Sequence, residues 1–384
     1  MVYLDYSATT PVTYDVLESY NKATREFMGN ANSIHSLGVK SKVLLNSATK
    51  QICELFNIEE KELIYTSGAT ESNNMAIKGV ALQYAYRGKH IIVSKLEQPS
   101  VYSVCNYLES IGYEISYVNN DSDGLIDFED LRGLIREDTI LVSICAVNSE
   151  VGVKQPLKTI RQVIKKANPN TVFHSDMTQA IGKIQVHMQD VDMASMSGHK
   201  IFGPKGIGFL YKNSKVNIVP IIHGSGKFNE LRAGTPPLPL IVALSKALRI
   251  ALADLEKKEA TVKQLNDKVC DGLSKIDGIV LNKTKYSIPH ILNISLMDVR
   301  PETLIHALEE DEIYVSTNTA CSSGDLSTAV MTLYNDKKRA TTTVRISLSY
   351  VTTNEELTKF LNVFGVEYKK LKDVVGEVSE WKRF

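Results

Sequence analysis

The chain has 384 residues, 43% apolar and 23% charged, enough for one large core plus a second, smaller domain. Its 44 Lys and Arg balance 44 Asp and Glu without a basic stripe, which argues against direct binding of nucleic acid. No apolar run approaches the roughly 18 residues of a membrane span, and the start, Met1-Val-Tyr-Leu-Asp-Tyr6, has no charged segment leading into an apolar one, so a cytoplasmic address is expected.

An extended piece over 3–11 ends in a turn, helical spacing runs over 15–27, and 29–35 is a polar loop. Residues 39–56 read as an amphipathic helix, with Val43, Leu44, Ala48, Ile52 and Leu55 on one face. A short strand over 63–66 runs into Ser67-Gly-Ala-Thr-Glu71 and a helix over 72–86. Such a turn sets free N–H groups and hydroxyls at a helix N-terminus, where a phosphate can bind, although a Ser or Thr there can equally be a plain cap. Strands at 90–93, 113–118, 139–144 and 171–174 then alternate with helices at 100–111, 131–136 and 157–167. That alternation predicts a mainly parallel sheet covered by helices on both faces, with ligands bound at the carboxyl ends of the strands. Polar residues stand at those ends, over 67–71, 148–150, 176–179 and at His199-Lys200.

Lys200 lies in Ser195-Met-Ser-Gly-His-Lys-Ile-Phe-Gly-Pro-Lys-Gly-Ile-Gly208. An amine on so tight a loop is a candidate Schiff-base nucleophile, the alternative being a surface lysine in a glycine turn. Asp176 stands just past a strand end. A carboxylate there can pair with a protonated ring nitrogen, as pyridoxal phosphate requires, or can cap a helix.

Beyond a glycine- and proline-punctuated loop over 223–237, residues 240–275 read as one long helical stretch bridging two domains. Strands at 279–281, 291–296, 313–316 and 344–348, with helices at 302–310, 327–334 and 354–371, describe a small α+β domain. The five cysteines are odd in number and lack C-x-x-C spacing, which fits reduced thiols and no metal or disulfide framework. Four sit among apolar or helical neighbours and read as buried, inert thiols. Cys321 sits in a small, polar run over 316–324, the composition of an exposed loop.

Together these segments resemble the cysteine desulfurases of the NifS/IscS type, in the class V aminotransferase superfamily of pyridoxal phosphate enzymes. Residues 3–11 are similar to the family's YLDxxATTP, 29–35 to GNPSSxH, 66–74 to TSGATESNN, 174–183 to HxDxxQxxGK and 197–208 to SGHKxxGPKGIG. Residues 232–235 resemble RSGT, 319–321 the family's SAC and 344–348 its IRxSL. The resemblance implies an α/β, aspartate aminotransferase-like fold: a large cofactor-binding domain over 15–255 around a mainly parallel seven-stranded sheet, and a smaller α+β domain from 1–14 and 256–384 carrying the Cys321 loop. It implies that Lys200 carries the cofactor as a Schiff base, that Asp176 pairs its ring nitrogen and that Gln179 bonds its phenolic oxygen. Ala69 (through its backbone), Thr70, Ser197 and His199 would hold the phosphate, joined by Thr235 from the other subunit of a homodimer. Asn30 and Arg345 would grip the carboxylate of L-cysteine, Arg345 through its bidentate fork. Cys321 would take up sulfur as a persulfide, release alanine and deliver the sulfur to an acceptor protein serving iron–sulfur clusters, thio-cofactors or tRNA thiolation.

Three departures from the family pattern stand out. Gln98 occupies the place of a stacking, proton-transferring histidine, and an amide cannot titrate near neutral pH. Ser149 stands where a cofactor-contacting asparagine is usual, and Lys227 and Phe228 fall at the expected substrate mouth. Gln98 motivates two other readings: a related lyase acting on selenocysteine or cystine, and an impaired homologue serving as a scaffold.

Overall fold

The computed structural model describes residues 1–317 and 326–381, of which 375–381 are described by backbone alone. After the short β1 (Val2–Tyr3) come seven strands of one large sheet: β2 (Leu63–Thr66), β3 (His90–Ser94), β4 (Glu114–Val118), β5 (Thr139–Ser143), β6 (Val172–Asp176), β7 (Met193–Ser197) and β8 (Gly208–Lys212). Their order is β2-β8-β7-β6-β5-β3-β4, parallel throughout except where β8 runs antiparallel to β2 and β7. Runs such as Ile91-Ile92-Val93 and Ile140-Leu141-Val142 are buried, as strands covered by helices on both faces require. The chain steps from β3 out to the edge strand β4, then returns to β5 on the other side of β3. Connections leaving the carboxyl ends of β3 and β5 therefore diverge, and a crevice opens between them.

A second, antiparallel sheet has the order β12-β13-β10-β9, from β9 (Ile279–Asn282), β10 (Ile291–Leu296), β12 (Ser316–Thr317) and β13 (Thr343–Ser347). Its core includes Leu292, Ile294, Val344, Phe360 and Phe364, and Val2 and Leu4 are packed into it. β1 pairs in parallel with β11 (Ile313–Tyr314). The first residues thus pack with this second sheet. The chain then crosses to the large sheet, where Thr10 N–H donates to the His199 carbonyl at 2.9 Å.

Several helices differ from the pattern-based boundaries, each for a local reason. The expected helix over 240–275 is two, Leu238–Leu252 and Leu255–Leu273, because Asp254 adopts a left-handed conformation (φ 50°) that no helix continues through. The helix after the phosphate turn begins at Ala69 rather than Ser72, so Thr70 and Glu71 lie in its first turn. The helix expected at 39–56 begins at Ser36, where His35 Nδ1 accepts from Gly38 N–H at 3.2 Å. Asp127 caps Phe128–Leu134, which displaces the expected 131–136 helix toward the N-terminus. The expected strand at 313–316 divides into β11 and β12, whose partners are β1 and β13.

Candidate active site

Loops at the carboxyl ends of five strands, β2, β3, β5, β6 and β7, converge on one cavity of about 580 Å³. The β2–helix turn contributes Ser67, Gly68, Ala69 and Thr70; the end of β3 contributes Gln98; the ends of β6 and β7 contribute Asp176, Gln179, Ser197, His199 and Lys200. Asp176 is the last residue of its strand, so the fold aims its carboxylate outward from the sheet end. Oδ2 accepts from Asn73 Nδ2 at 2.8 Å and Oδ1 from the Thr178 amide at 2.9 Å. Asn73 reaches it from the helix Ala69–Gln83, a contact that no sequence motif had specified.

Lys200 Nζ donates to the carbonyls of Ser7 and Ala8, each at 2.6 Å. Burial, followed by repulsion from the Arg345 guanidinium, lowers its pKa to about 8. A neutral amine is therefore far more accessible here than on an ordinary lysine. His199 Nδ1 lies 3.1 Å from Thr9 Oγ1, and burial together with the nearby Lys200 lowers its pKa to about 4. Its ring is thus neutral at neutral pH and can offer a hydrogen bond rather than a charge.

Pyridoxal phosphate, with a dianion at one end and a ring nitrogen at the other, fits the residues present. At the anionic end the helix Ala69–Gln83 opens on Gly68, which gives no side-chain cap to its first amides. The hydroxyl residues Thr70 and Ser197 and the basic Lys205 line the same cavity. Only glycine suits the junction beside it, because a Cβ on Gly208 would meet the Met196 carbonyl at 2.3 Å and the Gly68 Cα at 2.8 Å. At the other end stands the doubly bonded Asp176, and the buried Thr178 hydroxyl has no partner among the described residues. Lys205 was not singled out from the sequence, although the Gly-Pro-Lys-Gly turn carried the signal.

The remaining sequence candidates fall in three places. Gln98 Nε2 donates to Ser149 Oγ at 2.5 Å, so the two departures from the family pattern bond to each other. Gln179 lines the cavity: one N–H of Nε2 donates to the Ser7 carbonyl at 2.9 Å and Oε1 accepts from the buried Lys183, which fixes the amide while a second N–H remains on Nε2. Arg345, on β13, donates to the Ser149 carbonyl at 3.2 Å and pairs with Asp5 at 3.1 Å.

Asn30 is not brought to Arg345. It lines a separate cavity with Ser33, His223, Lys227 and Thr235. Within one chain Lys227 and Phe228 do not line the Lys200 cavity; Phe228 stacks on Tyr65 with ring centroids 6.2 Å apart and lines a neighbouring cavity with Ser67 and Gly206. Arg232 Nε bonds Glu71 at 2.8 Å and ties this loop to the phosphate turn. Cys321 lies outside the described residues. Of the other thiols, Cys53, Cys105 and Cys145 are buried and Cys270 is half-buried. Among the described residues no group of His, Cys, Asp and Glu side chains could hold a metal ion, and no helix is long and apolar enough to cross a membrane.

The class-V aminotransferase family model matches residues 2–360. The cysteine desulfurase IscS of Dictyoglomus turgidum is 36% identical over 387 residues, covering 99% of this chain and 98% of its own. The IscS of Klebsiella pneumoniae is 38% identical, covering 97% and 94%. Among solved structures, a NifS-like protein superposes with a TM-score of 0.90 at 35% identity, covering 98% of this chain and 99% of its own. A structure described as SspA in complex with cysteine superposes with a TM-score of 0.80 at 31% identity, covering 92% and 100%.

Proposed function

We infer that this chain, which belongs to the class-V aminotransferase family, is a pyridoxal 5'-phosphate-dependent cysteine desulfurase that converts L-cysteine to L-alanine and takes the sulfur onto Cys321 as a persulfide. The observation that carries the reading is the meeting, in one cavity, of the Lys200 amine with its lowered pKa, the anchored Asp176 carboxylate and an uncapped helix start. Bound there, the cofactor supplies a ring that accepts electron density from the substrate's Cα. Lys200 holds the cofactor and, with its low proton affinity, can take and return a proton at Nζ. Asp176 holds positive charge at the ring nitrogen. Arg345 orients the substrate by its carboxylate, and Ala69, Thr70, Ser197 and His199 hold the phosphate. Gln98 and Ser149 bond and orient but do not titrate, which leaves proton transfer to Lys200.

The division into 15–255 and 1–14 with 256–384 is part of the same reading. It is supported by the core that unites Val2 and Leu4 with Val262, Phe360 and Phe364. Buried, unpaired thiols at Cys53, Cys105 and Cys145 suit a reducing, cytoplasmic setting. The relatives' names favour desulfuration over the lyase and scaffold readings. Delivery of sulfur to an acceptor protein completes the reading. Mass spectrometry of the peptide carrying Cys321, after exposure of the holoenzyme to L-cysteine, tests it. A persulfide on that thiol, with alanine released, is the expected result; alanine release, and sulfide release in the presence of a thiol reductant, that persists unchanged in Cys321→Ser would refute the role.

A homodimer is supported by an unusual stretch of surface. Met28, Ile34 and Val43 are 81%, 98% and 65% exposed, beside the cavity that holds Asn30 and Thr235. Thr235 reaching the phosphate turn of a second copy is part of the same reading. Ile34→Asp is expected to weaken dimerisation by roughly 10- to 100-fold, read by sedimentation as a shift toward monomer at micromolar protein.

A further inference from the structure

Arg345 is buried, yet its guanidinium is only partly satisfied. Nη1 donates to the Ser149 carbonyl at 3.2 Å, Nη2 lies 3.1 Å from Asp5 Oδ1 and 3.5 Å from Ser316 Oγ, and Nε has no partner among the described residues. Asp5 therefore meets it through a single bond rather than the two-bond fork that arginine and a carboxylate can form. A backbone anchor holds Asp5 in place: it bridges Ser347, and the Ser7 amide donates to Ser347 Oγ at 2.9 Å. The same turn supplies the Ser7 and Ala8 carbonyls that receive Lys200. The Asp5 side chain is 20% exposed, so it can leave Arg345 for water by rotating, without moving that backbone.

We propose that Asp5 is a resident carboxylate on Arg345, occupying the Nη2 position that the substrate's own α-carboxylate takes, and that the substrate must displace it to bind. The proposal rests on the reading of Arg345 as the grip for that carboxylate. Burial opposes the charged form of Asp5 and raises its pKa despite the adjacent guanidinium, so its hold on Arg345 is weakened by the cost of keeping the carboxylate desolvated. An empty guanidinium in so buried a site would be costly to keep. Asp5 neutralises it between turnovers and lowers affinity for every carboxylate ligand in proportion. Asp5 is thus a positioning residue whose effect falls on substrate affinity.

Propionate, a carboxylate without an amine, is the probe. It is titrated calorimetrically into the holoenzyme and into its Asp5→Asn, Asp5→Ser and Arg345→Lys forms. Asn keeps the shape and an acceptor oxygen but not the charge; Ser removes both. Both Asp5 variants are expected to bind propionate about tenfold more tightly, and their KM for L-cysteine should fall without a matching rise in kcat. Unchanged or weaker binding in both would overturn the proposal and make Asp5 a brace for Arg345. Propionate binding that survives Arg345→Lys undiminished would instead refute the reading of Arg345 itself.

Discussion

Replacing Lys200 with alanine is expected to stop the release of alanine from L-cysteine, and of sulfide once a thiol reductant is supplied to reduce the persulfide, lowering kcat by roughly 10³-fold or more. The loss should not be one of folding. Of the two carbonyls that Lys200 bonds, Ser7 keeps a donor in Gln179 Nε2, and only the Ala8 carbonyl is left without the lysine. Arginine at this position should not rescue, because a guanidinium stays protonated and is no nucleophile. The pH dependence has a definite sign. An ordinary lysine titrates at 10.5, whereas burial and Arg345 lower Lys200 to about 8. Its amine therefore becomes nucleophilic as pH rises through about 8. Because the folded value lies below the unfolded one, stability contributed by this group also rises with pH, between about 8 and 10.5. Labelling of the apoprotein with an amine reagent across this range, followed by peptide mapping, should show Lys200 half-reactive near 8 while exposed lysines react only at higher pH.

Much of this site was legible because its chemistry sits in local motifs. The β2–turn–helix unit, Asp176 at a strand end and Lys200 in its glycine turn each span a few residues, and hydrophobic runs alone place them at the same edge of a parallel sheet. The pairings that finish the site were not legible, because they join residues far apart in the chain. Asn73 bonds Asp176 across 103 residues, and Asp5 bonds Arg345 across 340. No periodicity encodes such contacts; they follow from where the sheet ends meet. Gln179 shows the same limit from the other side. The resemblance implied a bond to a phenolic oxygen, and in the fold one N–H of Gln179 and its carbonyl oxygen also tie the cavity wall to Ser7 and Lys183, contacts no motif announces. The break at Asp254 was missed for a local reason, since an aspartate can sit in a helix surface or in a left-handed turn and the apolar spacing on each side is helical.

Asp176→Asn is the second large effect, and its cause can be read from two hydrogen bonds. In the native site both carboxylate oxygens accept, from Asn73 Nδ2 at 2.8 Å and the Thr178 amide at 2.9 Å. An asparagine supplies only one acceptor oxygen, so its NH2 must point at one of these two donors or into the cavity. The first arrangement leaves buried donors facing each other, at a cost of about 1–3 kcal/mol. The second presents a donor where a protonated ring nitrogen needs a negative charge. Either way the charge that balances that nitrogen is gone, and preorganised charges at such positions are worth roughly 10²–10³-fold in kcat. Cofactor content should remain near stoichiometric, because Lys200, Ser197 and the start of the helix Ala69–Gln83 are unchanged. Asn73→Ala separates charge from placement: the carboxylate stays while one of its two anchors is lost, and a rate loss of about tenfold or less is expected. Equal losses in Asn73→Ala and Asp176→Asn, measured at saturating L-cysteine with cofactor content checked by absorbance, would assign the effect to positioning rather than to charge.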